Sequence, residues 1–281
     1  MRQGAPSLTA QRVGQRRALH QIVDHPRVFE DPLALPMLGE EGARALEADP
    51  ARFDTAPRLR ALVAARSRYS EDELAAAVQR GVRQCVVLGA GLDTLAYRNP
   101  YAGSGLRVFE VDHPDTQLWK RERLEGARIA VPDSMTFVPA NFEEARLAYC
   151  LDAAGFDARQ PAFFSWLGVV PYLTLEAVRA TVGWIGSLPA ETAVVFDYGV
   201  DPALLSPPLR AAFEMLAERV ARAGEPFRLF FNPADLAVML RELGFHDIED
   251  LDGPEIDRRY FSGRADDLRA PGAARLSRAR V

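Results

Sequence analysis

Hydrophobic and polar positions divide the chain into two regimes. Up to residue 80 the apolar side chains recur at helical spacing, which predicts a helix from about Thr9 to Asp24 and another from Arg58 to Arg80. Pro26, Asp31-Pro32 and Pro36 punctuate the stretch between them as loop. From Cys85 the pattern changes to short β-rich runs separated by helix-length segments. Strands are predicted at Cys85–Leu88, Leu106–Asp112, Met135–Val138, Ala162–Leu167, Thr192–Tyr198, Phe245–Leu251 and Arg258–Phe261. Such alternation builds βαβ units and a mainly parallel sheet. Helix ends are marked by Pro114, by Thr174 before Leu175, by Gly224 after Leu209–Ala223, and by Asn232-Pro233. The predicted organisation is one α/β domain: residues 1–80 as an N-terminal helical cap and residues 81–281 as the core. The arginine-bearing tail Gly272–Val281 reads as a solvated end without a role.

Composition narrows the partners. With 48% hydrophobic and 26% charged residues in 281, the chain can bury a sizeable core. A formal charge of -5 opposes a nucleic-acid partner, since such domains are usually strongly basic. No apolar run approaches the ~18 residues needed to span a bilayer. Two cysteines, Cys85 and Cys150, make no disulfide framework, so a reducing cytoplasm is expected. The four histidines show no metal-ligand spacing, and no metal is expected.

The strongest chemical pattern is Val86-Val87-Leu88-Gly89-Ala90-Gly91-Leu92-Asp93-Thr94, a strand entering a glycine turn that is predicted to open a helix. Glycines there let backbone approach a ligand closely. At the end of the next strand, Arg107-Val108-Phe109-Glu110-Val111-Asp112, stands an acid at the spacing that accepts hydrogen bonds from ribose hydroxyls. Two nucleotide cofactors fit this pattern. A dinucleotide site calls for a third glycine, but position 94 is threonine. Asp93 would repel a pyrophosphate and tolerate a sulfonium, which favours S-adenosyl-L-methionine over NAD.

The run Val87 to Thr94, followed by Ala96-Tyr97-Arg98 and then by Phe109-Glu110-Val111-Asp112-His113-Pro114, resembles the leucine carboxyl methyltransferase superfamily. Its members are class I S-adenosyl-L-methionine-dependent O-methyltransferases, including polyketide carboxyl methyltransferases. The resemblance implies a Rossmann-like, seven-stranded, mostly parallel sheet with an antiparallel pairing of the last two strands. It implies that Gly89, Ala90, Gly91 and Asp93 line the cofactor and that Asp112 binds the ribose, with Glu110 as fallback. Family members place an acid after the third strand against the adenine amino group. Here Asn141-Phe142 stands there, and Asn141 can still accept through its carbonyl oxygen. Either Arg66 or Arg68, with Arg66 preferred, matches the family arginine that pairs with the cofactor carboxylate.

The segment after the fourth strand borders the switch point of an open α/β sheet, so Ser165 and Tyr172 are candidates to line the acceptor. No catalytic residue is assigned. The expected acceptor is a small molecule, with a carboxylate preferred because an acid is already ionised at neutral pH whereas a phenol needs a base. A hydroxyl acceptor, a protein C-terminus and a cofactor-binding module without turnover remain as alternatives. The oligomeric state has no sequence signature.

Overall fold

The computed structural model describes residues 7–141, 147–222, 224 and 226–281. Ahead of the sheet come helices α1 (Leu8–Val23), α2 (Gly39–Ala48), α3 (Pro50–Phe53) and α4 (Pro57–Gln79). Ser7 caps α1 by accepting the amide of Ala10. The chain then alternates through β1 (Gln84–Leu88), β2 (Arg107–Asp112), α5 (Pro114–Gly126), β3 (Met135–Pro139), α6 (Leu147–Ala153), β4 (Phe163–Trp166), α7 (Leu175–Gly186) and β5 (Ala193–Gly199). It ends with α8 (Pro207–Arg222), α9 (Pro233–Glu242), β6 (Asp247–Asp252), α10 (Gly253–Tyr260) and β7 (Ala274–Arg280).

The seven strands run in the order β3-β2-β1-β4-β5-β7-β6. The first five are mutually parallel, and β7 runs antiparallel to both β5 and β6. Period-two alternation sends β1 into two separate cores. Val86 and Leu88 pack with Phe109, Phe164 and Trp166, while Cys85 and Val87 pack on the other face with Tyr69, Val108 and Phe163. A strand covered on both faces calls for an apolar run, which Cys85–Leu88 supplies, and Gln84, buried with it, donates to and accepts from the Asp157 backbone. Strand order reverses between β1 and β4, so a crevice opens at their C-terminal ends.

Two sequence expectations fail at the C-terminal end. Arg258–Phe261 is not a strand: Asp252 and Glu255 form a capping box and Pro254 sits in the first turn, so α10 runs through those residues. The seventh strand is instead the tail, inserted between β5 and β6. Its arginines are neutralised across the sheet, Arg278 and Arg280 by Asp247 and Arg275 by Asp250. Their charge gives the segment a solvated look in sequence, yet Ala274, Leu276, Ser277 and Ala279 are buried.

Candidate cofactor and acceptor site

A cleft of about 760 Å³ lies over the C-terminal ends of β1 to β4. Its floor is the turn after β1. Gly89 takes φ +69° and Gly91 φ +46°, a backbone conformation that side chains with a Cβ avoid. A methyl group on Gly89 would stand 2.3 Å from Val169 Cγ2. The amides of Gly89 and Ala90 donate to the carbonyl of Val111, which straps the turn to the tip of β2. No α-helix opens here. The chain makes only a 3-10 turn at Leu95–Tyr97, because the Asp93 carboxylate accepts the Leu95 amide and holds the segment as a turn.

Asp112 stands on this cleft at the end of β2. Its Oδ2 accepts the Gly91 amide at 2.6 Å and its Oδ1 accepts the His113 amide at 2.7 Å. Each oxygen has a second lone pair, so the carboxylate can accept two further hydroxyls. Burial pushes its pKa up, and the two amides partly counter this. The fallback candidate is closed: Glu110 is fully buried, paired with Lys120 Nζ at 2.7 Å and accepting the Tyr97 hydroxyl at 3.1 Å. His113 also lies at this end, and its ring accepts the Asp115 amide as the cap of α5.

Asp93 reaches the cleft, but its charge is not free for a ligand. Arg17 of α1 donates to Asp93 at 2.7 Å and approaches Asp31 at 2.6 Å. Burial alone would push the Asp93 carboxyl up; Arg17, Lys120 and Arg98 together hold it well below the usual carboxylate range. Arg17 stands between Asp93 and Asp31, so part of the Asp93 charge is met inside the protein and the choice of a sulfonium over a pyrophosphate does not rest on that acid alone. Sequence reading missed Arg17. The signal for it was the unexplained acid beside the glycine turn.

The two arginine candidates separate cleanly. Arg66 is buried, lines the cleft and donates to Asp197 at 2.8 Å. Asp197 accepts the Gly168 amide with its other oxygen at 2.5 Å, which locks the guanidinium against that turn. Nη2, one of the two other Arg66 nitrogens, has no hydrogen bond among the described residues. Arg68 points outward, half exposed, and pairs with Asp72 at 2.7 Å. Asp197 was also missed, although an acid inside the apolar run Val195-Phe196-Asp197-Tyr198 was its trace.

Ala90, Asn141, Ser165 and Tyr172 all line the cleft. Ser165 is buried and accepts the Ser70 hydroxyl at 3.0 Å. The Tyr172 ring lies 5.4 Å from that of Phe227, and Arg228 at the same end also faces the cleft. Phe142 lies outside the described residues.

A nucleoside cofactor fits these residues. The glycine cradle leaves no space for a Cβ at Gly89, Asp112 offers free lone pairs, and the buried hydroxyl of Thr116 on the cleft wall has no hydrogen-bond partner among the described residues. The sheet order and the cleft define a class I methyltransferase. The same architecture is seen in a protein from Thermobifida fusca YX described as a methyltransferase, with TM-score 0.61 and 19% identity over 99% of this chain and 96% of that one. A DUF574-family protein from Streptomyces avermitilis MA-4680 gives TM-score 0.59 and 18% identity over 94% and 96%.

The chain belongs to the leucine carboxyl methyltransferase family, whose sequence profile matches residues 10–186. It is 31% identical over 96% of both chains to YktD of Bacillus subtilis (strain 168), named as an S-adenosyl-L-methionine-dependent methyltransferase. A protein of Frankia alni with the same naming, FRAAL3718, is 35% identical over 65% of this chain and 64% of its own. S-adenosyl-L-methionine is thus the cofactor and methyl transfer the reaction.

Proposed function

We propose that the protein methylates a carboxylate oxygen of a small molecule, releasing a methyl ester. The observation that carries this reading is the make-up of the cleft beyond the glycine turn. Arg228, Ser165 and Tyr172 line it, a cation and two hydroxyls suited to orient an acid. The lining imidazole, His113, is at the other end and engaged as a helix cap.

Bound S-adenosyl-L-methionine supplies a methyl group on a positively charged sulfur. Asp112 would hold the ribose hydroxyls, Asn141 the adenine edge, and the free nitrogen of Arg66 the amino-acid carboxylate. Gly89, Ala90 and Gly91 would let the backbone lie against the cofactor's methionine portion. Ser165 and Tyr172 face the acceptor. A carboxylate acceptor brings its nucleophilic oxygen already ionised, so no residue has to remove a proton. What the protein contributes is alignment and exclusion of water. The helices of residues 1–80 act as the cap, since Ala10, Val13 and Gly14 of α1 form one wall of the cleft. With Cys85 and Cys150 as free thiols, this reading places the enzyme in the reducing cytoplasm. Its membership of secondary metabolism belongs to the same proposal.

The pH profile tests the acceptor class. With an aromatic acid as substrate, kcat should stay flat from about pH 6 to 9 and the product should be saponifiable. A steep rise toward alkaline pH with an ether product would assign a hydroxyl acceptor instead.

A further inference from the structure

The two halves of α1 are built differently. From Gly14 onward, Gly14, Arg17, Ala18, Leu19 and His20 are buried, and Ala18 and Leu19 pack with Ala34 and Leu46. Ahead of Gly14 no residue of the helix is buried, yet Ala10 and Val13 line the cleft. Ala10 lies against Gly91 and Gly14 against Leu92. The first half thus covers the glycine turn with few buried apolar contacts to hold it there.

Arg17 stands where the halves meet, on the wall of the cleft. Its Nη1 donates to Asp93 Oδ2 at 2.7 Å, and its Nε lies 2.6 Å from Asp31 Oδ2. The other Asp93 oxygen accepts the Leu95 amide, so one carboxylate ties the turn both to itself and to α1. Asp31, also buried, accepts the Thr94 hydroxyl at 2.7 Å, and Thr94 accepts Arg98 Nε at 2.9 Å. Arg98 is forked in turn on Glu71 of α4. The Phe29 ring lies beneath both guanidiniums, 4.8 Å from Arg17 and 5.0 Å from Arg98. Stability alone is a poor account of this network. Arg17 is buried with its Nη2 lacking a hydrogen-bond partner among the described residues, and such a cation costs more than an apolar side chain of similar volume. What it supplies is a fixed arrangement of α1 on the turn.

We propose that Arg17 is a positioning residue for the cofactor: by joining Asp93 to Asp31 it holds residues 8–14 of α1 down on the glycine turn as a flap. The flap closes over the bound cofactor, and closure and occupancy favour each other. This rests on the reading that the cofactor lies on the glycine turn. It adds the element that covers the cofactor and the residue that sets the cover.

The test is hydrogen exchange on the full chain, read by mass spectrometry with and without S-adenosylhomocysteine, together with calorimetry. In wild type the ligand should slow exchange both at residues 8–14 and at residues 89–95. Arg17→Met should lose the slowing at 8–14, keep it at 89–95 once saturated, and bind the ligand about tenfold more weakly. Arg17→Lys keeps the charge but not the fork that spans two acids, and should recover part of both losses. Combining Arg17→Met with Asp93→Asn should cost less than the product of the two single losses, since both break one contact. Slowing at 89–95 alone in wild type would show that α1 does not cover the cofactor, and the proposal is overturned. Wild-type affinity in Arg17→Met overturns it too, even with a lowered Tm, as do losses that multiply independently in the double variant. Slowing at neither stretch would take the cofactor off the glycine turn, and both readings fall together. If Arg17→Met does not fold, Arg17→Lys and Asp93→Asn, singly and combined, carry the same comparisons.

Discussion

Asp112 accepts two backbone amides before any ligand is present, so its orientation is fixed by the fold. Replacing it with alanine removes both acceptors from the glycine turn and the ribose contacts together. Charge-assisted hydrogen bonds are worth about 1.5–3 kcal/mol each, so Asp112→Ala should weaken S-adenosylhomocysteine binding by a factor of ten or more in calorimetry. Wild-type affinity in that variant would take the ribose role away from Asp112. Burial raises the carboxyl above its ordinary value near 4, so it protonates at a higher pH than a solvated aspartate. An acid raised in the folded state favours that state at low pH and costs stability above its folded pKa. Ligand affinity moves the other way: it should fall on acidification earlier than for an ordinary carboxylate, and the fall should be absent in Asp112→Asn. At this scale the readable residues were those whose partners are near in sequence. Gly89, Gly91 and Asp112 are linked through one turn and one neighbouring strand. The pairs Arg17–Asp93 and Arg66–Asp197 span 76 and 131 positions, and no local pattern encodes which acid an arginine will meet.

Helix α1 acts as a unit because its small residues sit directly on the glycine turn. A Cβ built on Gly14 comes 2.8 Å from Leu92 Cδ1, and one on Gly91 comes 3.2 Å from Ala10 Cβ. Glycine inside a helix costs about 1 kcal/mol against alanine, so close approach is what its presence allows. In Gly14→Ala the propensity gain and the tight contact should nearly cancel. Gly14→Leu overpacks the seam by about 1–3 kcal/mol and tilts α1 away from the cleft, so it should lower Tm and raise KM for S-adenosyl-L-methionine. An unchanged KM with lowered Tm would show that α1 serves stability alone. The predicted helix from Thr9 to Asp24 was legible since its period and cap are local, and it matches Leu8–Val23. The helix expected after Gly91 was not, because an Asx-type bond from Asp93 and the ion pair to α1 replace helical pairing.

At the scale of the whole molecule, the switch in strand order puts the C-terminal ends of β1 to β4 around one crevice, and this was readable from the alternation of strands and helices. What escaped reading was how the sheet closes at its far side. β7 pairs along its full length with β5 and from Arg275 to Arg280 with β6, joining the antiparallel edge to the parallel body. Without it, seven residues of β5 lose their ladder on one side and β6 has no neighbour. Removal of residues 272–281 should therefore leave no cooperative melting transition, whereas a solvated tail could be lost without effect. Two point variants grade the contribution of its charges. Arg278 is mostly buried beside Glu73 and Asp247, so Arg278→Met strands the mostly buried Glu73, while Asp247 keeps Arg280, and should cost about 1–2 kcal/mol. Arg280 is more exposed toward Glu191 and Asp247, and Arg280→Met should cost less than about 1 kcal/mol. Thermal melting should rank truncation first, then Arg278→Met, then Arg280→Met. A truncated chain that melts cooperatively near the wild-type Tm would show that β5 and β6 hold their places without the strand between them.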